Sequence, residues 1–155
     1  MRVLAWITEG GWEAVVDAVA KLRTSSITLL HADTVDVPGR GHRHEQVMQR
    51  MHALADEAAQ ALLEDAEQRL GRTTEKVAET GVAETIVYEH AHAHDVLVLA
   101  RDGRHSGPHS IGHDQRWVID HAPCAVLLAW SQGAPDDEAP PPKPKPKPKP
   151  KAKPL

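Results

Sequence analysis

Phenylalanine is absent from this chain of 155 residues, and its aromatic side chains are four tryptophans and one tyrosine. A core without phenylalanine has to be filled by aliphatic residues and alanine, and a hydrophobic content of 41% is enough for one such core. Cysteine occurs once, at Cys124, which excludes an intramolecular disulfide and fits a reducing compartment. Long apolar runs are missing too. The opening MRVLAWITEGGWEAVV has too short an apolar stretch for a signal peptide or a membrane span, so the cytoplasm is the expected location. There is no Gly-x-Ser-x-Gly elbow, no complete Walker A loop and no Cys-x-x-Cys pair. Ser110, His113 and Asp114 lie close in sequence, but a triad is a spatial arrangement and such clustering in a polar loop is usually accidental. Cys124, following Pro123 at the entry to an apolar strand, reads as a packed small hydrophobe. The expectation is a protein that is not an enzyme.

Acidic residues are also missing from residues 140–155 (PPPKPKPKPKPKAKPL), which carry six lysines. The other 139 residues hold 12 Lys+Arg against 22 Asp+Glu, so a net −10 body is joined to a +6 tail. An acidic body is repelled by phosphates, so neither nucleic acid nor anionic lipid is an expected partner of the folded part. Alternating proline removes backbone donors and fixes φ, making the tail an extended polyproline-type rod of roughly 50 Å. Such a tail can serve simply to solubilise the chain, or as a salt-sensitive electrostatic arm contacting a polyanion. The expected organisation is one α/β domain over residues 1–131 and a disordered segment, acidic and then Pro/Lys-rich, over residues 132–155.

What is present reads as alternating strands and helices. Residues 2–7, 26–31 and 96–100 are short apolar runs without period-two alternation, as in strands buried on both faces. Residues 73–78 form a more polar strand, suited to a sheet edge, and Ala125–Trp130 (AVLLAW) is the fifth strand. Between them, helical spacing covers residues 11–23, 44–70, 82–92 and 112–121. The longest places Val47, Met51, Leu54, Ala58, Leu62, Ala66 and Leu70 on one face, with Gly71 as a left-handed cap. Thr80 is the expected N-cap of the third helix, and residues 32–43 are an irregular loop. Five strands alternating with four helices predict a doubly wound parallel sheet covered on both faces. In such sheets ligands bind beyond the C-terminal strand ends, here at the loops 8–11, 31–41 and 101–112.

Residues 97–130, LVLARDGRHSGPHSIGHDQRWVIDHAPCAVLLAW, combine a strand, a Gly-rich loop, a helix ending in His-Ala-Pro-Cys and an apolar strand. With the RVLAWI opening, the SITLLH strand and the long second helix, this resembles the universal stress protein family over roughly residues 2–130. The resemblance implies strand order 3-2-1-4-5, a homodimer, a role in stress response and, in one branch, bound ATP or AMP. That branch carries Gly-x2-Gly-x9-Gly-Ser/Thr after strand four and an acid after strand one. Small residues there let backbone N–H groups approach phosphate at a helix N-terminus. Here the first glycine is replaced by Ala100, Gly103 matches the second, and eight residues separate it from Gly112. His113 stands at the hydroxyl position and Thr8 at the acid position. The cofactor-site candidates implied are therefore Thr8, Ala100, Gly103, Arg104, Gly112 and His113, with Arg101 and His105 as further phosphate contacts. The expected protein is a non-catalytic binding or regulatory module with an altered nucleotide loop. Its alternatives are a switch that still holds ATP or AMP, and a His-rich metal-binding module.

Eleven histidines feed that last alternative. His90 and His94 have the i, i+4 spacing that can chelate zinc on one helical turn, and His105, His109 and His113 repeat every four residues. His42 and His44 lie in or beside the second loop. Without a thiolate or carboxylate partner motif they read as solvated surface histidines, and no metal site is assigned. Finally, Ala125–Trp130 is an apolar strand at a sheet edge, and the resemblance implies that it forms the isologous dimer contact.

Overall fold

The computed structural model describes residues 1–35, 38–104, 106–135 and 143–144. Its strands are β1 (Arg2–Trp6), β2 (Ser26–Asp33), β3 (Glu75–Thr80), β4 (Val96–Arg101) and β5 (Ala125–Trp130). They are joined by the helices α1 (Trp12–Ala20), α2 (His42–Leu70), α3 (Ala83–Ala91) and α4 (His113–His121). The strands pair in parallel in the order β3-β2-β1-β4-β5, so the chain winds outward twice from the centre, with β3 and β5 as edges. Parallel neighbours require crossovers, and each is made by one helix.

Side chains alternate across the pleat, and this splits the core into two layers. Val3, Ala5, Ile7, Leu29, Val98 and Ala100 face α1 and α2, where they meet Val15, Val16, Val19, Leu63 and Ala66. Leu4, Trp6, Leu30, Leu97 and Leu99 face α3 and α4, meeting Ile86, Val87 and Val118. Every large fully buried member of the α1/α2 layer is aliphatic, with Trp12 packed against it from the side. Cys124 packs beside the second layer, and burial pushes its thiol pKa up, away from reactivity.

Three polar clamps tie neighbouring elements together. Asp95 accepts the Arg2 backbone N–H at 2.7 Å and its guanidinium at 2.9 Å, holding the starts of β1 and β4 side by side. Glu67 accepts the Thr74 N–H and hydroxyl at 2.8 and 2.9 Å and Lys76 Nζ at 2.6 Å, joining the end of α2 to β3. Arg69 forks onto Asp17, linking α2 to α1.

Three sequence-based expectations are corrected. Thr80 is the last residue of β3 and caps nothing: α3 begins after Val82, without a side-chain cap. The reason is Gly81, whose φ of 157° turns the chain while its N–H binds Asp33 O and its carbonyl accepts Thr34 Oγ1. The loop after β2 is shorter than residues 32–43, because pairing with β3 extends β2 to Asp33 and α2 starts at His42. The stripe expected along α2 divides. Its inward face is Ala59, Leu63, Ala66 and Leu70, whereas Val47, Met51 and Leu54 stay exposed. Gly71 is the left-handed cap, with φ 66°. Apart from Lys143 and Pro144, the Pro/Lys-rich segment lies outside the described residues.

Candidate functional site

β1 and β2 leave the centre one way and β4 and β5 the other, so a crevice opens beyond the C-terminal ends of β1 and β4. A cavity of about 530 Å³ occupies it, bordered by Thr8, Gly10, Ala100, Asp102, Arg104 and Gln115 among others. Its floor is set by a close approach. A Cβ on Gly11 would stand 2.5 Å from the Ala100 Cβ, so α1 can begin this close to β4 only with glycine there.

Four of the six residues singled out in the sequence line this cavity: Thr8, Ala100, Arg104 and Gly112. Gly103 and His113 do not. The Gly103 N–H donates to Ser131 Oγ at 3.0 Å, and a Cβ on Gly103 would lie 3.0 Å from Gln132 N and Gly133 O. Gly103 is therefore a packing glycine under residues 131–133, its donor already used. His113 is exposed, at the first position of α4.

Gly112, Arg101 and Arg104 are engaged as well. Gly112 N–H donates to Gln115 Oε1 at 3.2 Å, and Gln115 Nε2 donates onward to Ala100 O at 3.0 Å. Gln115 thus closes the mouth of α4 against the end of β4. Arg101 donates through Nε and Nη2 to Ser110 Oγ and lies 3.8 Å over the Trp130 ring. Arg104 grips Asp102 through its backbone N–H, Nε and Nη2 at 2.9–3.3 Å. Because Asp102 already occupies Arg104, a phosphate reaching for that cation would have to displace a carboxylate. Arg104 and the Gly103 and Gly112 N–H groups thus have internal partners here. His105 lies outside the described residues.

Gln115, Ser110, Ser131 and Asp102 were missed by sequence reasoning. Only the Asp102–Arg104 pair, two residues apart, carried a local signal. Ser110, read from the sequence as an accidental neighbour of His113 and Asp114, is 1% exposed and donates to Gly107 O, so it acts as a loop strut.

The histidines are dispersed. α3 ends at Ala91, so His94 lies beyond it and shares no helical turn with His90. His90 Nε2 meets Glu79 Oε1 at 2.6 Å, while His94 donates through Nδ1 to His90 O and meets Thr28 Oγ1 through Nε2 at 2.9 Å. His94 is therefore a structural link between the end of α3 and β2, not a solvated side chain. Among the described residues, no three His, Cys, Asp or Glu side chains converge as a metal site. Among the same residues no helix is long and apolar enough to cross a membrane.

No family model matches this chain, and no curated protein does. Solved structures do. Universal stress protein UspA from Lactobacillus plantarum superposes with a TM-score of 0.60 at 17% identity, covering 83% of this chain and 97% of that one. A universal stress protein family protein from Arabidopsis thaliana with AMP bound gives 0.56 at 16%, covering 84% and 91%. A universal stress protein in complex with cAMP gives 0.56 at 16%, covering 84% and 97%. The sheet order and these superpositions agree, and the chain has the universal stress protein fold.

Proposed function

We propose that this chain is a non-catalytic binding and regulatory member of the universal stress protein family, cytoplasmic, whose phosphate loop is turned inward. The observation that carries this reading is the internal use of both loop N–H groups, Gly103 by Ser131 and Gly112 by Gln115. A backbone donor already paired gives a phosphate little net gain, since binding exchanges one hydrogen bond for another. The test is a thermal-shift series with ATP, AMP and cAMP at millimolar concentration. The expected result is no shift. A ligand that bound with micromolar affinity would stabilise the fold by about 4 kcal/mol at a thousandfold excess over Kd, and the melting point would rise by several degrees. Such a rise, or stoichiometric nucleotide released from freshly purified protein, overturns the reading.

One observation favours the alternative of an AMP-class switch: a cavity of about 530 Å³ survives where the fold places ligands. Under that alternative Asp102 is a built-in competitor for Arg104. Asp102→Asn weakens that hold, so AMP that binds the unsubstituted chain and binds this variant more tightly selects the switch, and binding by the variant alone or by neither favours the inward-turned loop.

The edge strand β5 supports homodimerisation. Ala125 and Leu127 face outward on the α1 side, with Leu127 37% exposed, and an apolar edge invites pairing. Ala14 and Ala18 of α1, and Leu22 just after it, line the same groove.

A further inference from the structure

α2 is 29 residues long, about 43 Å of helix against roughly 20 Å for the strands it covers. All of its buried residues, Ala59, Leu63, Ala66 and Leu70, lie in the C-terminal half. The N-terminal half nevertheless carries an apolar stripe, with Val47 43%, Met51 43% and Leu54 56% exposed, followed by exposed Ala58. At 100° per residue this stripe lies about 120° around the helix from the buried face, so it cannot reach the sheet. Its alternating steps of four, three and four residues are those of the a and d positions of a heptad, the pattern of a coiled-coil seam.

We propose that the N-terminal half of α2 pairs with the same segment of a second copy as an antiparallel two-helix coiled coil. Charge selects both the partner and the direction. With Met51 and Ala58 as a positions and Val47 and Leu54 as d positions, the g positions are Arg43, Arg50, Glu57 and Glu64. The cations fall in one half of the segment and the acids in the other. In an antiparallel pair g faces g, so Arg50 meets Glu57 of the second copy and Arg43 meets its Glu64, each twice by symmetry. A parallel pair would set g against e and place Arg43, Arg50 and Glu57 beside Met48, Ala55 and Leu62, with no opposite charge to meet. The seam is complementary in size as well, because Met51 lies across from Leu54 and Val47 across from Ala58. Glu64 already accepts Lys76 Nζ at 2.8 Å, so the Arg50–Glu57 pair carries most of the selectivity. Arg43, Arg50 and Glu57 have no ion-pair partner among the described residues. The helix is already built and anchored at its C-terminal end, so pairing does not have to order it.

The test uses the full-length chain carrying Leu127→Lys, which disables the β5 edge and leaves only the α2 contact. Sedimentation velocity at tens of micromolar is expected to show a dimer. Arg50→Glu and Glu57→Arg, added singly, each weaken the dimer by about tenfold or more, since two attractive pairs become repulsive. The doubly exchanged chain R50E/E57R recovers the dimer. So does an equimolar mixture of the two single variants, because one chain then carries acids at both positions and the other carries cations at both. Circular dichroism melts confirm that each variant is folded, as expected for exposed sites. A monomeric Leu127→Lys chain overturns the proposal, as do single exchanges that leave its association unchanged or a double exchange that fails to restore it.

Discussion

Gly11 is fixed by contact: its φ of −169° lies outside the left-handed region that favours glycine. The obstacle is the Ala100 methyl, 2.5 Å from where a Gly11 Cβ would sit. Gly11→Ala is expected to destabilise the fold by about 1–3 kcal/mol, because a central strand cannot retreat from an overpacked methyl. Adding Ala100→Gly should recover most of that loss, and urea unfolding of the single and double variants measures it. Residue roles of this kind were the least legible part of the sequence. Ala100 stood out because the family resemblance implied glycine there, and Thr8, Ala100, Arg104 and Gly112 do border the cavity. What could not be read was where the donors go. Gly103 N–H finds Ser131 across 28 positions, and only the pairing of β4 with β5 brings the two together.

Asp95 adds a pH dependence at the same scale. The Arg2 guanidinium and backbone N–H hold its pKa at about 2, well below the usual carboxylate range. A carboxylate whose folded pKa is lowered contributes stability that is complete above its unfolded pKa of about 4. That contribution is lost as pH falls toward 2. Glu67, also held at about 2 by Lys76 and Thr74, acts in the same sense. Unfolding free energy is expected to fall between about pH 4 and pH 2, and Asp95→Asn to flatten part of that slope. An unchanged slope in the variant would show that the Arg2 clamp contributes nothing to acid stability.

At the scale of elements the pattern of the chain was highly legible. Runs that lacked period-two alternation became central strands because helices cover both sheet faces, and the polar third strand became an edge. Where the reading failed, the missing information was tertiary. Thr80 has the chemistry of an N-cap, but pairing with β2 claims it for β3. On α2, a stripe of apolar residues four apart looks continuous on paper. A helix of 3.6 residues per turn carries the Val47–Ala58 portion away from the face that Leu63 and Leu70 present to the sheet. The division is testable one side chain at a time. Leu63 is fully buried, so Leu63→Ala is expected to destabilise by about 2–5 kcal/mol. Gln60→Ala, on the exposed side of the same turn, should stay within about 0.5 kcal/mol. Similar losses at both positions would mean that this turn does not pack as described.

For the whole molecule, the two proposed contacts have different consequences together and apart. The β5 edge and the α2 seam are each isologous, and neither uses the other's residues. A chain with one isologous contact stops at a dimer, whereas two such contacts give a closed tetramer if their two-fold axes intersect suitably and an open array if they do not. With a protomer of 16.9 kDa, mass alone separates these outcomes. The unsubstituted chain is expected to assemble beyond a dimer at tens of micromolar. Leu127→Lys alone should stop it at the α2-paired dimer, and Arg50→Glu alone at the β5-paired dimer. The combined variant should be a folded monomer. Salt separates the contacts further, because screening weakens the Arg50–Glu57 pairs while leaving the apolar β5 edge largely unaffected. Raising ionic strength should therefore shift the unsubstituted chain toward the β5 dimer and take the Leu127→Lys chain toward monomer. An Arg50→Glu chain that still assembles beyond a dimer would show that a third surface, and not the α2 seam, links the pairs.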